Sequence, residues 1–377
     1  MQPRIFPLTV ITGFLGAGKT SLLNRLLRTP ELAHSLVLIN EFGEIGLDHL
    51  LVEKVTADRI LLTSGCLCCT IRGDLISALE GALRDHDNGR VDFDRVVVET
   101  TGLADPAPVL HTIMYHPYIM LRFRLDGVVT LVDAVTGDRT LDQHSEAVKQ
   151  AAVADRLVIS KTDLLPAEDP RLAALQARLA RLNPTAMQLV AANASARDLF
   201  NIGLYDPDRK SPDVRRWLNA EAIADRHEAH GHDSDGAAHH GHRNHHDINR
   251  HDARIQAFAL RHAEPLAPAA LELFLELLRN AHGAHLLRLK GIVALSDDPT
   301  RPLVVHGVQH VFHPPARLEA WPDEDRATRL VFILHDIEPS FVEELFGACV
   351  NAAAPDRPDR AALMQNPLSP ARGGLLR

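Results

Sequence analysis

Three cysteines fall within four consecutive positions of the segment SGCLCCTIRGD, residues 64–74. Cys66, Cys68 and Cys69 follow an apolar run that predicts a strand and precede an amphipathic pattern that predicts a helix over 73–86. A position just before a helix N-terminus lowers the pKa of a thiol and favours the thiolate, which is the form that binds metal. Three neighbouring thiolates suit Zn²⁺ and leave one coordination position open, for which Glu41 or a water molecule is a candidate.

Two other roles for these thiols are redox chemistry and packing in a core. A redox pair is less well supported, because a C-x-x-C motif in a thioredoxin-like setting is absent from the sequence. Four cysteines in 377 residues, three of them adjacent, do not form the framework of a secreted disulfide protein. The fourth, Cys349, stands alone in an amphipathic stretch, and we expect it to fill a core.

The segment GFLGAGKT, residues 13–20, matches the phosphate-binding pattern G-x-x-x-x-G-K-[ST] and lies between a predicted strand and a predicted helix. In such a loop, backbone N–H groups surround phosphate oxygens, while Lys19 reaches the β- and γ-phosphates and Thr20 binds Mg²⁺. A glycine-rich turn that matches by chance is the alternative. The residues that we expect to contact the nucleotide here are Gly13, Gly16, Ala17, Gly18, Lys19, Thr20 and Ser21.

A third motif, VVVETTGLADP, places Glu99 at the end of an apolar strand, where open α/β sheets bind their ligands. A carboxylate there can hold Mg²⁺ through water, and Gly102 lets the backbone approach the γ-phosphate. An ordinary helix cap is the alternative for Glu99. We therefore assign catalytic roles to Lys19, Thr20 and Glu99. The segment INEFGEIGLD likewise follows a strand and offers Glu41 and Glu44 on a candidate switch loop.

The tetrapeptide SKTD, residues 160–163, resembles the element that selects guanine in GTPases. The Asp163 carboxylate would accept from the N1–H and N2–H₂ groups of guanine. Adenine has no matching donors, so a buried Asp163 would be left unpaired. The unpaired carboxylate would cost about 1–3 kcal/mol or more of binding free energy. Lys161 belongs to the same element, while Ser160 replaces its usual Asn and is expected to weaken one supporting hydrogen bond. A Thr-Asp pair that starts a helix is the alternative.

These motifs need a scaffold that brings strand ends together. Between Ile5 and about Val190, apolar strand-like runs alternate with helical patterns, which predicts a mostly parallel sheet in a three-layer α/β domain.

The charge of the chain bears on its partners. The net charge of −9 and the lack of a basic stripe interleaved with aromatics argue against a nucleic-acid-binding surface. We found no signal peptide and no apolar run of eighteen residues, so we expect no membrane partner and a cytoplasmic location.

The later part of the chain differs in composition. Residues 227–251 contain nine histidines and almost no apolar residues, which predicts a flexible linker that is either a metal-gathering tether or a hydrophilic spacer. The strand and helix patterns after it predict a small α+β domain with an antiparallel sheet. The predicted divisions are a P-loop domain at 1–215, a linker at 216–252, a C-terminal domain at 253–348 and a disordered tail at 349–377.

Taken together, the motifs ITGFLGAGKT, NEFGEIGLD, GCLCC, ETTGLADP and SKTDL, in this order, resemble the CobW-like family of P-loop GTPases, which are metal chaperones or insertases. The resemblance covers about residues 5–345. It implies GTP and Mg²⁺ at the P-loop, metal at the three cysteines, nucleotide sensing by Glu99 and Gly102, and base recognition by Lys161 and Asp163.

The expected function is GTP hydrolysis that controls the affinity of the cysteine loop for Zn²⁺ or Co²⁺ and delivers the ion to a client metalloprotein. Two alternatives are a P-loop kinase and a passive zinc buffer or sensor with negligible turnover. The sequence leaves open the metal, the client and the oligomeric state, with a homodimer among the options.

Overall fold

The computed structural model of the chain describes residues 4–42, 59–64, 70–200, 202, 254–312 and 315–351. The three clustered cysteines, Glu44 and the predicted His-rich linker lie outside these ranges. For Glu41 only the backbone is described. Among the described residues, no helix is long and apolar enough to cross a membrane.

The N-terminal domain is built on a parallel sheet, for which the described residues supply seven strands. Their order across the sheet is β3-β2-β4-β1-β5-β6-β7, and every neighbouring pair is parallel. The strands are β1 (Phe6–Gly13), β2 (Ser35–Phe42), β3 (Arg59–Ser64), β4 (Arg95–Glu99), β5 (Phe123–Asp133), β6 (Arg156–Ser160) and β7 (Met187–Val190).

Helices cover both faces of this sheet. They are α1 (Lys19–Leu26), α2 (Thr70–Asp87), α3 (Ala107–Tyr115), α4 (Gly137–Gln143), α5 (Ser145–Ala152), α6 (Pro170–Leu182) and α7 (Ala196–Leu199). Alternate residues of β4 show the layering, because Val96 and Val98 pack in one apolar cluster with α2 and α3, whereas Val97 packs in another with α1 and α7. The predicted three-layer α/β fold is therefore confirmed.

The C-terminal domain has an antiparallel sheet with strands in the order β11-β10-β9-β13-β8, and β12 pairs with β10. Two helices cover it, and their buried Phe274 and Phe346 meet edge to face. The elements are β8 (Ile255–His262), α8 (Pro268–His282), β9 (Leu286–Val293), β10 (Leu303–Val308), β11 (Val311–Phe312), β12 (Ala316–Arg317), β13 (Thr328–His335) and α9 (Pro339–Asn351). The predicted antiparallel α+β domain is confirmed.

Two details of this domain differ from the sequence prediction. The segment LVVHGVQHVF, residues 303–312, has the sequence pattern of one strand but forms two, because the chain turns back at Gln309, whose φ is 52°. Helix α9 continues to Asn351, three residues beyond the predicted domain end. It does so because Cys349 lies in the core with a side chain that is 4% exposed, as expected for a core filler.

The two domains share a buried interface. Val308 and Val311 of the C-terminal sheet belong to the same apolar cluster as α2 and α3. The hydroxyl of Tyr115, at the end of α3, donates to the carbonyl of Phe312 at 2.7 Å and accepts from the N–H of Phe312 at 3.0 Å. The C-terminal domain therefore packs directly against the N-terminal domain.

Candidate nucleotide and metal site

The loop between β1 and α1 has a conformation that requires glycine. Gly13, Gly16 and Gly18 all have positive φ, at 140°, 73° and 89°. A Cβ on Gly13 would lie 2.5 Å from the carbonyl oxygen of Leu131. No side chain caps the start of α1, so its first N–H groups are available to an anion. The loop thus has the geometry of a phosphate cradle, as its sequence predicts.

Lys19 extends back along this loop. Its ammonium donates to the carbonyl oxygens of Gly13 at 2.8 Å and Phe14 at 3.3 Å, and the residue is 9% exposed. These contacts hold a positive charge beside the N–H groups of the cradle. The side chain is therefore positioned to meet the β- and γ-phosphates.

Thr20 and Glu99 meet at the ends of two neighbouring elements. The Thr20 hydroxyl, in the first turn of α1, donates to Oε1 of Glu99 at 2.7 Å. Glu99 is the last residue of β4 and is 4% exposed. A hydroxyl and a carboxylate this close form the hard oxygen donor set that Mg²⁺ prefers, so the residues fit this ion. The two predicted magnesium-binding residues are brought together.

Gly102 lies against the phosphate loop. A Cβ at this position would be 2.6 Å from the backbone nitrogen of Leu15 and 2.7 Å from its Cα. The predicted close backbone approach at Gly102 is therefore made to the loop itself. Gln150 of α5, which is 1% exposed, donates to the carbonyls of Gly102 at 3.2 Å and Ala104 at 3.0 Å. Sequence reasoning missed Gln150, because one polar residue on an amphipathic helix gives no signal of what it contacts.

The candidate base-recognition element is organised by an ion pair. Lys161, with a φ of 56°, donates from Nζ to Oδ2 of Asp133 at 2.7 Å. Burial alone would raise the pKa of Asp133, but this bond and those from the N–H groups of Val135 and Thr136 outweigh it and hold the pKa below its usual range. Asp133 closes β5, and sequence reasoning did not assign it a role.

Ser160 and Asp163 belong to the same element as Lys161. The Ser160 hydroxyl donates to the Ala17 carbonyl at 2.7 Å, so it ties the base element to the phosphate loop. Asp163 lies in a short 3-10 turn at 162–164 and is exposed rather than buried. The energetic argument for guanine applies to the complex, in which a base would cover the carboxylate.

The cysteine loop, residues 65–69, connects two described elements. It leaves β3 after Ser64 and enters α2 at Thr70. The strand register places the backbone of Glu41 opposite Thr63, and Ile39 of the same strand opposite Glu99. Because parallel strands end at one edge of the sheet, the loop starts at the edge that carries Glu99 and the phosphate loop.

Comparison with known proteins supports the same assignment. The CobW/HypB/UreG nucleotide-binding domain matches residues 7–190, and the cobalamin synthesis protein cobW C-terminal domain matches residues 255–350. The zinc chaperone CobW of Sinorhizobium is 30% identical over 91% of this chain and 97% of its own length. The zinc chaperone YjiA of Escherichia coli is 41% identical over 178 residues, which are 47% of this chain and 55% of that protein.

Solved structures agree with these relatives. The Zn(II)-bound YjiA GTPase from E. coli superimposes with a TM-score of 0.60 and 27% identity, over 93% of this chain and 99% of that one. A zinc-bound triple mutant of YjiA gives a TM-score of 0.65 at the same identity and coverage. The two matching domains, the full-length similarity and the geometry of the phosphate loop show that this chain belongs to the CobW family.

Proposed function

We propose that this protein is a GTP-hydrolysing metallochaperone that binds Zn²⁺, or Co²⁺, at Cys66, Cys68 and Cys69. The observation that carries the proposal is the shared sheet edge, at which Glu99 meets Thr20 and from which the cysteine loop starts. Relatives named zinc chaperone and zinc-regulated GTPase metalloprotein activator support both the GTPase activity and the role in metal delivery.

The described residues divide the work of GTP binding and hydrolysis. The first N–H groups of α1 and the ammonium of Lys19 hold the triphosphate and stabilise the charge that develops on it. Thr20 and Glu99 would hold Mg²⁺, which neutralises charge on the phosphate oxygens when bound. Lys161 supports the guanine element through Asp133, and Asp163 is exposed to accept from the base.

The connections between the phosphate loop and the strands beside the cysteine loop support control of metal affinity by the nucleotide. Gly102 touches Leu15 of the phosphate loop, and β2, which lies between β3 and β4, bears Glu41 near its end. A change in either segment on loss of the γ-phosphate would alter the geometry of the cysteine loop. Switching a site from 99% loaded to 99% released at fixed free metal needs about 5.5 kcal/mol of differential affinity.

The ion would pass to a client metalloprotein, and the cytoplasm is the proposed compartment. The reason lies in the chemistry of the site, because three adjacent thiols act as metal ligands only where they stay reduced.

The proposal is tested by titrating Co²⁺ and Zn²⁺ into the protein loaded with GDP and with a non-hydrolysable GTP analogue. We expect thiolate-to-Co²⁺ absorption with a different affinity in the two states, and by linkage the metal must change analogue affinity by the same factor. Steady-state hydrolysis of GTP, with ATP as the control, is measured with and without Zn²⁺.

The matched control replaces Cys66, Cys68 and Cys69 by Ser, which should abolish the absorption while GTP still binds. Equal metal affinity in both nucleotide states, together with negligible turnover, would identify a passive zinc buffer instead. A complete lack of thiolate absorption would remove the cysteines from the metal site.

A further inference from the structure

A second group of metal-binding side chains lies on the C-terminal domain. His285 immediately precedes β9, His335 ends β13, and Asp336 follows it. One candidate ligand atom from each of these three residues lies within 4.8 Å of the others. The cluster belongs to the antiparallel sheet and shares no residue with the nucleotide site.

The backbone fixes the two histidines relative to each other. The N–H of His335 donates to the carbonyl of His285 at 2.8 Å, which joins the ends of the two strands. The imidazole rings stack with centroids 5.9 Å apart and an interplanar angle of 15°. One ring nitrogen of His285 and one of His335 lie within 4.8 Å of each other.

A hydrogen bond also determines which nitrogen of His285 can bind metal. Its Nδ1 lies 3.0 Å from the carbonyl oxygen of His335, and a carbonyl oxygen can only accept. Nδ1 therefore carries the hydrogen, and Nε2 of the neutral ring keeps its lone pair. An imidazole N–H that donates to a backbone carbonyl is the arrangement that orients histidine ligands in metal sites.

The carboxylate completes a set of two nitrogens and one oxygen. Oδ2 of Asp336 lies 3.5 Å from Nδ1 of His335, and the two side chains are 39% and 25% exposed. Ligand atoms around a tetrahedral Zn²⁺ are about 3.4 Å apart, given metal–ligand distances near 2.1 Å. Binding of one ion would therefore require the ligand atoms, which lie within 4.8 Å of one another, to move closer by rotation of these partly exposed side chains.

Among the described residues, Arg254 and Lys149 bring positive charge to the cluster. Nε of Arg254 lies 3.9 Å from Oδ1 of Asp336, with side chains that are 59% and 39% exposed. A pair this exposed contributes about 0–1 kcal/mol, so a divalent ion can displace it. Lys149 of α5 also contributes positive charge near His335, but its ammonium lies 3.6 Å from Asp105.

We propose that His285, His335 and Asp336 bind a divalent transition-metal ion of the Zn²⁺ class, with water in the remaining coordination position. Without a thiolate ligand and with an open position, this site exchanges metal faster than a site with three cysteines. The proposal does not depend on GTP hydrolysis or on the cysteine loop.

The direct test is a crystal of the full chain grown with Zn²⁺ and measured at the zinc absorption edge. We expect an anomalous difference peak between the two imidazoles and the carboxylate. In solution, a chromogenic chelator competes for Zn²⁺ with the wild type and with the H285A/H335A double variant. The double variant should lose one equivalent of bound Zn²⁺, because all other candidate ligands are unchanged.

Two further variants guard against misfolding and non-specific loss. Asp336→Asn keeps both rings and should weaken Zn²⁺ binding at this site by more than about 10-fold, since the loss of an outer-shell partner alone costs that much. His34→Gln, at an exposed histidine of the other domain, should keep the wild-type stoichiometry. No peak at the cluster, with equal stoichiometry in all four proteins, would overturn the proposal.

Discussion

The ammonium of Lys290, in the C-terminal domain, donates to Oδ1 of Asp155, in the nucleotide-binding domain, at 2.9 Å, and the two side chains are 2% and 0% exposed. The Arg288 guanidinium also bonds to Asp155 and to the carbonyl of Val153, while Oδ2 of Asp155 accepts from the N–H of Val128 at 2.9 Å. One buried carboxylate therefore serves two buried cations across the domain boundary.

Asp155→Asn is expected to destabilise the protein by about 3–5 kcal/mol, because it leaves Arg288 and Lys290 buried without a counter-charge. Lys290→Met is the matched variant and should cost much less, since Asp155 keeps its bonds to Arg288 and Val128. Thermal and denaturant unfolding measure both. Equal losses in the two variants would mean that the carboxylate is not the centre of the interface.

The ion pair between Lys290 and Asp155 also predicts a dependence of stability on pH. Burial, and then the Coulombic repulsion of Arg288, lower the pKa of Lys290 from 10.5 to about 8, although Asp155 opposes the shift. Between these two values the unfolded chain binds more protons than the folded one, so the Lys290 contribution to stability rises with pH. The stability of the wild type relative to Lys290→Met should therefore increase from pH 8 to pH 10.5, by up to about 3 kcal/mol. A difference that is flat or falls over this range would contradict the assignment.

Glu99→Gln tests the magnesium role, because an amide oxygen can still accept from Thr20 but the negative charge is lost. We expect GTP turnover to fall about 10- to 100-fold and to need more Mg²⁺ for its half-maximal rate. Thr20→Ser keeps the hydroxyl and should stay close to wild type, whereas Thr20→Val should behave like Glu99→Gln. Unchanged Mg²⁺ dependence in Glu99→Gln would remove this carboxylate from the metal site.

Gly102→Ala should disturb the phosphate loop, because the new Cβ would lie 2.6 Å from the backbone of Leu15, which cannot move without the loop. We expect GTP affinity to fall by about 1–3 kcal/mol. Gly81→Ala is the control, since a Cβ there meets only the flexible end of Arg84 at 4.0 Å inside α2. It should be neutral or stabilising, by up to about 1 kcal/mol.

Both domains could be predicted because their strands and helices show strong hydrophobic periodicity. The phosphate loop could be predicted because the spacing of its glycines and lysine is typical of that backbone conformation. The contacts of Gln150, Asp133 and Ser160 could not be predicted, since each depends on which loops the sheet order brings together. The His285–His335 cluster was missed for the same reason, because fifty residues separate the two rings in sequence. The turn at Gln309 was missed because a non-glycine residue adopts positive φ there, without a local sequence signal.

Asp163→Ala tests guanine selectivity. Because the Asp163 side chain is exposed, its removal should not destabilise the fold. The carboxylate would accept two hydrogen bonds from guanine, and bonds to a charged group contribute about 1.5–3 kcal/mol each. We expect GTP and GDP affinity to fall at least about 100-fold, while the weak binding of ATP stays the same because the phosphate contacts of Lys19 and Thr20 are intact. Competition binding of the three nucleotides to wild type and variant measures this, with melting temperature as the folding control. If the variant lost GTP and ATP equally, or if the wild type bound both alike, Asp163 would not read the base, and selectivity would have to come from elsewhere in the loop that follows β6.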